Sequence, residues 1–191
     1  MCKILAFSGS ARKGSFNQQL VSIAARGAEA AGAEVTLINL VDFPMPIFNQ
    51  DLESEQGMPE NGQRLKTLLT EHDGLLIASP EHNSSYSSLL KNAIDWASRA
   101  TSADEVPLSA FQGKYATIMA ASPGGLGGLR GLVTLRMLLA NIGVTVLPKQ
   151  IAISQAFSAF EQGKLVDETK HNEVRAMGEN LRNLLQKLKE S

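Results

Sequence analysis

Two hydrophobic periods alternate along this chain. Short, nearly continuous apolar runs read as strands: Ile4-Leu-Ala-Phe7, Gly74-Leu-Leu-Ile-Ala-Ser79 and Tyr115-Ala-Thr-Ile-Met-Ala-Ala121. Glu34-Val-Thr-Leu-Ile-Asn-Leu40 reads as the second strand in chain order, and a fifth falls within Val144–Ile153. Between these runs apolar positions recur three and four apart, the spacing of one helix face. Phe16, Leu20, Ile23, Ala24, Gly27 and Ala31 mark a first helix, and Leu65, Leu68 and Leu69 a second over residues 60–71. Leu89, Leu90, Ala93, Ile94 and Ala97 mark one near 87–99. Leu132, Leu135, Leu138, Leu139 and Ile142 mark another. The last, roughly 167–189, carries Val174, Met177, Leu181, Leu184, Leu185 and Leu188. Apolar strands separated by amphipathic helices imply a parallel sheet covered on both faces. The expected class is α/β, a three-layer, doubly wound, five-stranded parallel sheet. With no repeat, linker or low-complexity tract, residues 1–191 read as one domain.

In such sheets ligands gather outside the carboxyl ends of the strands. The segments leaving strands one, three and four, residues 9–17, 80–86 and 122–130, are each rich in Gly, Ser, Asn or Pro. They are expected to form one site. Val41–Met58 is also long for a connection, and such lengths are often functional.

Gly9-Ser-Ala-Arg-Lys-Gly-Ser-Phe-Asn17 is the most informative of the three. A strand, a hydroxyl-rich loop and a helix make an anion site, because the first helix amides lack intrahelical partners and the macrodipole places partial positive charge there. Ser8, Ser10 and Ser15 add hydroxyls, and Arg12 a guanidinium suited to phosphate. A triphosphate loop needs Lys and Ser or Thr where Ser15 and Phe16 stand. A dinucleotide fingerprint fails at Ala11. A terminal monophosphate, as on FMN, fits the donors better. The alternative is a solvated turn with a serine cap.

The second loop, Ser79-Pro-Glu-His-Asn-Ser-Ser-Tyr86, holds few titrating groups and many hydrogen-bonding ones. Asn83 both donates and accepts, as a flavin's pyrimidine edge requires. Glu81 with His82 as an acid/base pair lacks a third, orienting group. No metal ligand set is expected: His82 stands alone, and His72 and His171 read as surface residues of helices or their ends. In the third loop, Ser122-Pro-Gly-Gly-Leu-Gly-Gly-Leu-Arg130, glycines would let backbone approach a flat ring, with Arg130 available to a cofactor phosphate. A flexible glycine turn is the other reading.

Bulk numbers narrow the picture. Eighteen basic against 19 acidic side chains give a net charge of −1, with no excess for nucleic acid or anionic membrane. Cys2 is the only cysteine, so no internal disulfide forms. No window approaches the roughly 18 apolar residues of a membrane span. The chain enters a strand directly, without a basic and then apolar leader. A cytoplasmic protein is expected.

Taken together, the loops resemble the NADPH-dependent FMN reductase family of the flavodoxin-like superfamily. The family's first loop reads G-S-x-R-x-x-S-x-N, matched by Gly9, Ser10, Arg12, Ser15 and Asn17. Its second reads P-E-Y-N-G before a helix like L-K-N-A-I-D-W. Pro80, Glu81 and Asn83 match, as does Leu90-Lys-Asn-Ala-Ile-Asp-Trp96. Its third, S-x-G-x-x-G-G, is similar to Ser122–Gly128. The resemblance spans Lys3 to about Ile153, and three motifs in order are far more specific than one. His82 stands in place of the family's tyrosine and Ser84 in place of a glycine whose backbone would approach the ring.

The resemblance implies strand order 2-1-3-4-5 and a noncovalent FMN. Hydride would come from NADPH or NADH and pass to a small-molecule acceptor such as a flavin or quinone. Ser10, Arg12, Ser15 and Asn17, with Phe16 beside them, would hold the phosphate. Pro80, Glu81, His82, Asn83 and Ser84 would border the ring, with Ser122 and Gly124 across from them. No catalytic acid or base is required. Homodimers or homotetramers are implied, and Trp96 serves either association or the core. An electron carrier and a nonredox binding protein are the alternatives to an enzyme.

Overall fold

Residues 1–190 are described by a computed structural model. The sheet is built from β1 (Lys3–Ser8), β2 (Glu34–Asn39), β3 (Gly74–Ala78), β4 (Tyr115–Ala121), β5 (Thr145–Val146) and β6 (Ile151–Ile153). All pair in parallel in the order 2-1-3-4-5, with Ile4 beside Val35 and Gly74, and Gly74 beside Tyr115. β3 is buried throughout and β1 at every position after Lys3, as their continuous apolar runs require. β2, at the edge, is only partly covered.

The fifth position of the sheet is filled in two pieces. β5 pairs Tyr115 and Ala116, then β6 pairs Met119 to Ala121. Pro148, which cannot donate to a ladder, lies between them. Arg136 gathers the freed carbonyls: its guanidinium reaches Val146 O at 3.1 Å, Leu147 O at 2.9 Å and Gln150 Oε1 at 3.0 Å.

The helices are α1 (Phe16–Ala30), α2 (Gln50–Gln56), α3 (Glu60–Glu71), α4 (Ser88–Ala97), α5 (Leu129–Asn141), the single turn α6 (Ala156–Ala159) and α7 (Glu168–Glu190). Successive strand residues point to opposite faces, and the core divides accordingly. Ile4, Ala6, Leu76, Ala78 and Met119 pack against α1 and α7 through Leu20, Ala24, Met177 and Leu181. Leu5, Phe7, Leu75, Ile77 and Ile118 pack against α3, α4 and α5 through Leu65, Leu69, Leu90, Ile94 and Leu135. α1 and α7 cross on glycines: a Cβ at Gly27 would strike the Arg175 carbonyl, and one at Gly178 the Ala24 carbonyl.

Four features depart from the sequence reading or add to it. Trp96 is a core residue, fully buried, its Nε1 donating to Pro46 O at 2.8 Å. His72 is buried rather than on the surface, because its ring bridges Leu68 O at 2.6 Å and Thr36 Oγ1 at 2.8 Å. The 41–58 connection contains α2, which buries no residue and so shows no apolar period. Its signals are polar: Asn49 caps the Asp51 and Leu52 amides, and Gly57 ends it at φ 73°. A hairpin of β7 (Phe160–Glu161) and β8 (Lys164–Leu165) turns on Gln162 and Gly163, both with positive φ.

Candidate functional site

The ends of β1, β3 and β4 are stitched together as they leave the sheet. Gly9 N donates to Ala78 O at 2.8 Å, Ser79 N to Met119 O at 3.0 Å and Ser122 N to Ile153 O at 3.0 Å. Ser87 knots two loops: its Oγ donates to Gly9 O at 2.5 Å and accepts from Leu90 N at 3.2 Å, capping α4. A Cβ at Gly9 would lie 2.7 Å from that hydroxyl, so only glycine admits this approach. Asn17 ties the first turn of α1 to β4, its amide giving to Ala121 O and taking from Ala121 N, both at 2.9 Å.

A cavity of about 350 Å³ opens where these loops meet. Gly9, Ser10, Ala11, Arg12, Ser15, Phe16 and Asn17 line one side. Pro80, His82, Ser88, Leu89, Ala121 and Pro123 line the rest. No carboxylate is among them, and Arg12 carries the one fixed charge. Ser15 is the N-cap of α1 and accepts from Gln18 N, which leaves its hydroxyl proton and the Phe16 and Asn17 amides to serve a ligand. Arg12 lies over the Phe16 ring, 4.8 Å from its centroid. Phe16 in turn stacks on Phe160 at 5.4 Å and 25°, and meets Phe157 edge-on at 5.4 Å and 87°. That aromatic column restrains the guanidinium at the mouth.

The second loop is a tight hairpin. His82 N donates to Ser85 O at 2.9 Å and Ser85 N to His82 O at 3.1 Å. The two residues between, Asn83 and Ser84, have φ of 49° and 67°, the left-handed pair of a type I′ turn. Position 84 thus favours glycine for its backbone angle. Asn83 and Ser84 are exposed and lie outside the cavity lining. Glu81 also lies outside it: its carboxylate turns to α5 and accepts from Gly131 N at 3.1 Å and from Arg130 Nη2 at 2.6 Å. Burial pushes that carboxyl up, but the Gly131 amide and the Arg130 guanidinium outweigh it and hold it below the usual range. Arg130 is therefore already paired.

In the third loop the glycines divide. A Cβ at Gly127 would collide with the Ala152–Ser154 backbone and one at Gly128 with Ala120, so these two serve the fold. Gly125 faces open space, and Gly124 meets only the Ser122 hydroxyl at 3.8 Å. Ser122 and Gly124 flank the cavity without lining it. Ser88 and Leu89 line it although the motifs did not single them out; Ser87, the residue before them that caps α4, is a signal that could have pointed to them. Among the described residues no cluster of His, Cys, Asp or Glu could hold a metal ion. No helix among the described residues is long and apolar enough to cross a membrane.

Comparison with known proteins gives the family. Residues 2–158 match the family model described as NADPH-dependent FMN reductase. The chain is 38% identical over 168 residues to an NAD(P)H-dependent FMN reductase of Pseudomonas aeruginosa, covering 87% of this chain and 85% of that one. It is 33% identical over 147 residues to a quinone reductase of Escherichia coli, covering 77% and 74%. The flavoenzyme NAD(P)H:(acceptor) oxidoreductase FerB of Paracoccus denitrificans superposes with a TM-score of 0.78 at 28% identity, over 98% of each chain. With the site motifs, the strand order and a family match over most of its length in agreement, the chain belongs to the NADPH-dependent FMN reductase family.

Proposed function

We propose that this flavin oxidoreductase seats FMN in the cavity at the N-terminus of α1 and passes the two electrons of NADPH or NADH to quinone-type acceptors. One observation carries the reading: a crevice of about 350 Å³ with hydroxyls, free helix amides and one guanidinium, and no carboxylate. That donor set fits a dianionic monophosphate, and the volume lies within the range of ligand pockets. Bound FMN would supply the two-electron relay between nicotinamide and acceptor.

Each residue then has a task. Ser10, Arg12, Ser15 and the Phe16 and Asn17 amides hold the phosphate. The Asn17 side chain, engaged with Ala121, fixes the pitch of α1 against β4. Pro80 and His82, which line the cavity, border the ring; the backbone of Glu81, Asn83 and Ser84 and, opposite, Ser122 and Gly124 lie just outside that lining, where they would meet the part of the ring that extends past it. No side chain has to move a proton for hydride transfer itself, in keeping with a lining whose only ionisable groups are Arg12 and His82.

The same reading includes a homodimer or homotetramer. Leu129, Val133 and Met137 make an exposed apolar stripe along α5, 44%, 62% and 61% exposed, continued by Leu126. A second copy of the chain is the occupant that the reading assigns to it. It also places the chain in the cytoplasm, where the lone buried Cys2 stays reduced.

The test is an absorbance spectrum of the purified chain with FMN, followed by anaerobic NADPH and then a quinone. Retained flavin bands that bleach with NADPH and return with quinone are expected. A chain that retains no FMN, or whose flavin never bleaches, would contradict the reading.

A further inference from the structure

We propose that Glu81 is a positioning residue that straps the 82–85 hairpin to the N-terminus of α5, so that the two loops beside the flavin ring act as one wall. This rests on the cavity being the FMN site, as proposed above.

The geometry of α5 points to it. The helix opens on Gly128 at φ 93° with no side-chain cap of its own; Leu129 N turns back to Leu126 O at 3.0 Å, and the amides after it need an acceptor from outside the helix. Glu81 fills that role from the other loop. Its Oε2 accepts from Gly131 N at 3.1 Å, and its Oε1 takes Arg130 Nε at 2.9 Å and Nη2 at 2.6 Å. The Glu81 side chain is 8% exposed, so both oxygens are engaged away from bulk water. A negative group at a helix N-terminus gains from the macrodipole as well.

Two further contacts show that α5 is pressed onto the hairpin. A Cβ at Gly131 would lie 3.0 Å from Ser85 O and 3.5 Å from Glu81 Cβ, so glycine sets the approach. Ser85 Oγ and Thr134 Oγ1 meet at 3.3 Å one turn further along. Pro80 and His82, on either side of Glu81, both line the cavity while Glu81 faces the helix. Extended backbone places alternate residues on opposite sides, so a pull on Glu81 sets the two residues that touch the ring space. The same carboxylate occupies the anion-ready end of α5 and neutralises Arg130, which removes this loop as a phosphate site.

Glu81→Ala, Glu81→Gln and Arg130→Met would be titrated with FMN and with riboflavin by fluorescence quenching, with visible circular dichroism of the bound flavin and a thermal melt alongside. Glu81→Ala is expected to weaken both ligands by the same factor, about tenfold, and to alter the flavin dichroism. Glu81→Gln, which keeps an acceptor for Gly131 N–H, should recover part of that loss. Arg130→Met leaves the Glu81–Gly131 cap and should weaken both ligands about threefold. If Glu81→Ala does not fold, Arg130→Met decides. Folded variants with wild-type affinities and unchanged dichroism would overturn the strap, as would a loss confined to FMN, which would put Glu81 on the phosphate side. Wild-type protein that binds neither ligand would overturn the FMN site and the strap together.

Discussion

Arg12 is the one cation lining the cavity, and the Phe16 ring beneath it limits where its guanidinium can go. Arg12→Ala is expected to weaken FMN about 10- to 100-fold, the worth of a charge-assisted contact of about 1.5–3 kcal/mol. Riboflavin, which lacks the phosphate, should bind the variant as it binds the wild type. Ser84 holds a left-handed φ of 67° that costs a side-chain-bearing residue roughly 1 kcal/mol. Ser84→Gly should therefore raise the melting temperature by a few degrees; a lower one would mean the serine makes a contact that outweighs the strain.

Glu105 gives the clearest pH dependence. It pairs with Lys66, accepts from Ser109 Oγ at 2.5 Å and Thr101 N at 2.7 Å, and these bonds, that of Lys66 first, bring its carboxyl down to about 2 from the ordinary 4.5. A folded value below the unfolded one adds stability that is complete above pH 4.5 and lost as pH falls toward 2. Glu105→Gln should lower stability at pH 7 by about 2 kcal/mol, between exposed and fully buried pairs. It should also flatten the acid loss in urea titrations at pH 7 and pH 3. At this scale the 9–17 loop of the proposed phosphate seat was legible as a cluster, because its residues are neighbours in sequence and line one cavity. The tie from Asn17 to Ala121 spans 104 residues and that from Glu81 to Gly131 spans 50, and no local pattern records either.

Among the elements, α1 matters most, since its first turn forms the crevice and its flank meets α7 at Gly27 and Gly178. Gly178→Ala would drive a methyl into the Ala24 carbonyl. We expect a loss of about 3 kcal/mol, the upper end for overpacking, read as a lower urea midpoint. An unchanged midpoint would mean the two helices part without penalty. Elements with a buried face were plain in the sequence: α3, α4 and α7 lie within two residues of their expected bounds, and α5 starts three residues before its first apolar marker, Leu132. α2 was not, because it buries nothing, and the broken fifth strand was not, because Arg136 supports it from ten or more residues away. Trp96 shows the same limit from the other side. Its helix was legible, but the Pro46 carbonyl that makes it a core residue comes from a loop 50 residues earlier.

For the whole molecule, the alternation of strands and helices gives a parallel sheet, and the strand order that the family resemblance implied sets the site at the shared edge of β1, β3 and β4. The α5 stripe predicts association. Wild type should elute as a dimer or tetramer by light scattering, and Val133→Lys with Met137→Lys as a monomer; a monomeric wild type would remove that interface. The central claim is the phosphate seat, and its most direct measurement is the affinity of the wild-type chain for FMN against riboflavin in the same buffer. With two or three charge-assisted contacts to the phosphate, FMN should bind at least about 100-fold more tightly. Equal affinities would contradict the account, since the crevice of residues 9–17 would then hold no phosphate.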